Sequence, residues 1–102
     1  MNGVKVQYTV KEEYVETNKA NIRQVMVDLR ETNNTDIQYS AWLLDDGVTF
    51  VHLVMRANDE AQKTVNELPS FQEFQRQLKA SGPVAPPNAE NLTYVGSSWE
   101  IF

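Results

Sequence analysis

The sequence predicts one α+β domain of ferredoxin-like order, strand-helix-strand-strand-helix-strand, with a four-stranded antiparallel sheet. Three observations point there: period-two alternation near the N-terminus, two amphipathic helical stretches, and a pair of β-patterned segments joined across Asp45-Asp46-Gly47. A chain of 102 residues has room for one modest core, so residues 1–102 are read as a single domain.

Val4, Val6, Tyr8 and Val10 alternate with Lys5, Gln7 and Thr9, the pattern of a strand with one apolar face. From about Glu12 to Arg30 the period lengthens, and Val15, Ile22, Val25, Met26 and Leu29 form the buried stripe of a first helix. Asn33 to Asp36 break it. Ile37–Leu44 and Val48–Met55 then read as a hairpin. A two-residue turn at Asp46-Gly47, with both residues at positive φ, sets Leu43 opposite Phe50, Ala41 opposite His52 and Tyr39 opposite Val54. Asn58 is placed to cap a short helix through Leu68, which Pro69 interrupts. Ser70-Phe71-Gln72-Glu73 has the form of a capping box, opening a second helix whose stripe is Phe71, Phe74 and Leu78. That helix ends before Gly82-Pro83. Ser81–Asn91, with three prolines, reads as a loop, and Leu92–Ile101 as the last strand.

Composition removes several classes of function. A net charge of −5 with scattered Lys and Arg offers nothing to neutralise a phosphate backbone, so nucleic acid is not an expected partner. The N-terminus has no apolar leader and no run is long enough to span a bilayer, so no membrane contact is expected and the protein is read as cytoplasmic. Without cysteine there is no thiolate site, and a single histidine leaves little for zinc. No metal and no cofactor are expected. Two helices cover only one face of such a sheet, and the hairpin is largely apolar on both faces, so the expected partner is a second copy of the chain in a homodimer through the sheet face.

Read in order, Phe50-Val51-His52-Leu53, Asn58-Asp59-Glu60-Ala61 and Leu68-Pro69-Ser70-Phe71-Gln72-Glu73-Phe74 resemble the dimeric α/β-barrel superfamily, and within it the small antibiotic-biosynthesis-monooxygenase-like proteins. The resemblance spans nearly the whole chain and rests mostly on packing motifs. It implies a homodimer holding a small aromatic or polyketide-like molecule between sheet and helices, and cofactor-independent oxidation of it. The chain departs from many relatives in two places: Val54 stands where they carry an acidic residue, and Ser70 where they carry a histidine. Haem-degrading relatives have an axial histidine on the second helix. This one has none there.

His52 is the one side chain whose ordinary pKa lies near neutrality, which makes it the candidate general base for a phenolic or enolic proton. The competing reading is a buried histidine bonded to a neighbour. Tyr8, Tyr39 and Tyr94 are candidates to orient a planar substrate, and Trp42, Phe50, Phe71 and Phe74 to wall it in; the plain alternative is that these aromatics are core. No nucleophile elbow, glycine-rich phosphate loop or paired-carboxylate motif is present. Two functions follow: a cofactor-independent monooxygenase-like enzyme, or a non-catalytic dimeric module that binds a small molecule.

Overall fold

The computed structural model describes residues 1–102. Strand β1 (Asn2–Thr9) is followed by a 3-10 turn at Glu12–Tyr14 and helix α1 (Val15–Glu31). The hairpin β2 (Ile37–Leu43) and β3 (Thr49–Arg56) comes next, then α2 (Asp59–Glu67), α3 (Pro69–Ser81) and β4 (Ala85–Leu92). The sheet is antiparallel in the order β2-β3-β1-β4, the ferredoxin-like arrangement expected.

Because strand side chains alternate, Val4, Val6 and Tyr8 share the inner face with Phe50, His52 and Val54 and with Tyr39, Ala41 and Leu43. Val15, Ile22 and Val25 of α1, with Phe74 and Leu78 of α3, close over that face and make the core. Helix α1 ends where Asn33 takes the left-handed conformation at φ 55°, which asparagine tolerates just past a helix end.

The hairpin register is the one the sequence implies, but the turn is not. Of Asp46 and Gly47 only Gly47 has positive φ, at 77°, and the chain closes through Gly47 N–H to the Leu44 carbonyl and Leu44 N–H to the Thr49 carbonyl. The Asp46 carboxylate accepts from the backbone N–H of Val48 and Thr49, holding a longer loop of the same register. These bonds and the Thr49 hydroxyl hold the Asp46 carboxyl below its usual range.

Asn58 caps α2 as its position suggests: its Oδ1 accepts from Ala61 N–H at 3.0 Å. Asn58→Ala is expected to cost about 1 kcal/mol, read from a urea melt. The Ser70 capping box does not form. Pro69 occupies the first helical position, where its missing N–H costs nothing, so Ser70 lies inside α3 with its Oγ buried and unpartnered. Glu73 pairs forward with Arg76 instead.

The last strand is the largest correction. β4 is Ala85–Leu92, within the stretch expected to be a loop, and Leu92–Ile101 does not form a strand beyond Leu92 itself. β4 lies at the sheet edge, exposed along its whole length, and its register on β1 shifts between Gln7 and Thr9. Prolines are tolerated at an edge and at such an irregularity because ladder bonds are already missing there. Residues 93–102 turn back toward the outer face. They share a shallow pocket with Gly3 and Met55, and Gln38 Nε2 donates to the Ile101 carbonyl. No helix is long and apolar enough to cross a membrane.

Candidate functional site

The inner face carries one buried polar chain. Asn18 of α1, fully buried, donates from Nδ2 to Tyr8 Oη at 2.8 Å. Tyr8 Oη lies 2.8 Å from His52 Nε2, and Tyr39 Oη lies 2.7 Å from His52 Nδ1. The imidazole, 3% exposed, sits against Phe74 at 5.5 Å between ring centroids, while Phe71 meets Tyr39 edge-on and Phe50 stacks on Tyr8. Desolvation by this aromatic surround pushes the His52 pKa down to about 4 and raises both tyrosine hydroxyls above their ordinary value. All three groups are neutral at pH 7.

A neutral imidazole offers one N–H and one lone pair, so hydrogen counting orders the chain. With Asn18 Nδ2 donating, the Tyr8 hydrogen points to Nε2 and Nδ1–H donates to Tyr39, leaving the Tyr39 hydrogen without a protein acceptor. Asn18 Oδ1 is then buried without a partner. Turning the Asn18 amide over reverses every bond: Tyr8 gives to Oδ1, Nε2–H gives to Tyr8, and Tyr39 gives to Nδ1. Tyr39 thus offers a hydrogen in one pattern and only lone pairs in the other.

Tyr39 also lines a cleft of about 800 Å³ between α1 and β2. It lies along β2, an edge strand of the sheet. Ile22, Met26, Leu29, Ile37, Ala41 and Phe50 form its apolar lining. Its size and its mixed lining, nine of sixteen residues hydrophobic and the rest polar or basic, suit a small organic ligand.

The expected site residues divide three ways. Tyr8, Tyr39, His52, Phe71 and Phe74 come together around the imidazole, with Phe50 between them and the cleft. His52 itself does not line the cleft, and the space over Ala41 does not expose it. Trp42 lies on the strand's outer-facing alternation, 61% exposed, and contributes to the cleft only at its lip, its indole N–H donating to Ser40 Oγ. Tyr94 is not at this site: it lies in the irregular C-terminal segment, half exposed, bonded to Ser97. Sequence reasoning missed Asn18, although a lone polar residue on the apolar stripe Val15, Ile22, Val25 was a usable signal. No group of three or more His, Asp or Glu side chains stands close enough to hold a metal ion.

No family model matches the chain, nor does any curated protein in sequence. Solved structures do. An antibiotic biosynthesis monooxygenase superposes with a TM-score of 0.75 over 94% of this chain and 100% of its own, at 14% identity. A Mycobacterium tuberculosis protein matches at 0.78, covering 96% and 98% of the two chains at 12% identity, and a Pseudomonas aeruginosa protein at 0.74, covering 93% and 94% at 15% identity. By its fold, this chain therefore stands with the antibiotic-biosynthesis-monooxygenase-like structures.

Proposed function

We propose that the protein is a cofactor-independent monooxygenase-like enzyme acting on a small aromatic or polyketide-like molecule bound in the α1–β2 cleft. The observation that carries this reading is the hydrogen-bond chain from Asn18 through Tyr8 and His52 to Tyr39, which ends at the cleft wall. Tyr39 is the group that meets the substrate, and His52 acts behind it. In the pattern where Tyr39 donates to Nδ1, the Tyr39 oxygen takes an acidic C–H or O–H proton from the substrate as its own hydrogen passes to His52. The resulting carbanion adds dioxygen to give a peroxide anion, which recovers the proton through Tyr39. The hydroperoxide then loses water, leaving a carbonyl: one oxygen atom enters the substrate, and the other departs with both hydrogens of the original methylene. The working unit in this reading is a homodimer through the outer sheet face, supported by the half-buried row Val51, Leu53 and Met55 and by exposed Trp42.

Oxygen uptake with anthrone as the probe tests the enzyme. Tyr39→Phe is expected to slow turnover about 100-fold while changing probe affinity much less, since the ring remains and only the proton path is lost. The non-catalytic binding module is the second reading. It is favoured by the imidazole pKa of about 4, which makes His52 a reluctant proton acceptor. Probe binding without uptake above the uncatalysed rate would establish it, and absence of binding would sink both.

A further inference from the structure

The charges around the cleft are one-sided. The chain has 9 Lys and Arg against 14 Asp and Glu, yet Lys19, Arg23 and Arg30 all line the cleft and no acidic residue does. On α1 these positions stand four and seven residues apart with Met26 between them, so they share one stripe along about 16 Å of helix. Lys19 is partly occupied by Glu16 at 3.3 Å. Arg23 and Arg30 make no ion pair, the only other one in the chain being Arg76–Glu73. An acidic protein has thus left two guanidinium groups unpaired on the wall of this cleft.

We infer that the cleft selects an organic anion: an apolar, ring-sized body carrying a carboxylate, with the carboxylate on Arg23 and Arg30 and the reacting hydroxyl or enol end at Tyr39. This rests on the site assignment above and adds to it the charge class of the ligand. Guanidinium is suited to the task because its planar fork can give two parallel N–H donors to one carboxylate. The arginines are solvent-exposed, so the contribution is screened by salt.

Two probes with one ring system separate charge from shape: 2-naphthoate and 2-naphthalenemethanol, each titrated calorimetrically into the intact protein. Naphthoate is expected to bind about tenfold more tightly than the alcohol at about 0.02 M salt, with most of that advantage gone at about 0.5 M. In the double variant Arg23→Gln/Arg30→Gln the advantage is expected to fall below about twofold with alcohol affinity unchanged, which also shows that the variant is folded. Equal binding of the two probes, or an advantage that survives the double variant, overturns the anion inference. If the alcohol still binds and Met26→Trp, which fills the cleft, weakens it, the cleft assignment stands alone. Failure of both probes to bind overturns the two together.

Discussion

Phe74→Ala is expected to destabilise the domain by about 3–5 kcal/mol, a large share of the 5–15 kcal/mol typical of a small domain. Phe74 is 5% exposed, and its ring meets three others: His52 at 5.5 Å, Phe71 at 6.0 Å and Tyr8 at 6.5 Å. It is the side chain of α3 that seals the polar chain from water. Truncation removes packing from two layers at once and opens a path to the imidazole, so the lost transfer and cavity terms are joined by a change in polarity. Urea denaturation checks the magnitude. A loss below about 1 kcal/mol would mean that neighbouring aromatics collapse into the gap, and that α3 is not what keeps the site dry.

Most of this arrangement was legible in the sequence because it depends on burial. Tyr8, Tyr39 and His52 fall on one face by simple alternation, and Phe71, Phe74 and Leu78 fall on one stripe by helical spacing. The pairing of Ala41 with His52 follows from the hairpin register, which survived an incorrect turn because Leu44–Thr49 keeps the same partners around a longer loop. The errors have the opposite origin. β4 is exposed on both faces, so no hydrophobic period marks it, whereas Leu92, Tyr94, Val95 and Trp99 carry an apolar signal in a segment that forms no strand beyond Leu92. Edge pairing through backbone groups leaves no trace in side-chain chemistry.

The site divides along the same line. Its aromatic members announce themselves by residue type, while Asn18 is informative only by position, as a polar residue at a core point of α1. Arg23 and Arg30 are ordinary solvated residues by every sequence rule. Only the gap between α1 and the free edge of β2 turns them into a wall of the cleft.

Burial of His52 makes stability depend on pH in a defined window. Its pKa is about 4 in the folded protein against an ordinary 6.5, so between those values the unfolded chain binds more protons than the native one. Stability therefore rises with pH across the window, is complete above about pH 6.5, and falls by about 3 kcal/mol as the pH drops to 4. Below about 4 the folded histidine protonates as well and this dependence levels off. The carboxylates held low, Asp46 and Glu73, lose stability in the same direction but only as the pH nears their ordinary values of 3.8 and 4.5, so the interval from pH 6.5 to 5 reports His52. Denaturation midpoints of the native protein and of His52→Gln, measured from pH 7.5 to 5, should show the slope in the first and not in the second. Phe74→Ala should show a reduced slope, because water admitted to the imidazole lets it charge in the folded state. A slope of the same size in His52→Gln would place the acid sensitivity elsewhere, and with it would go the claim that a neutral imidazole is held between Tyr8 and Tyr39 by the dryness of the site.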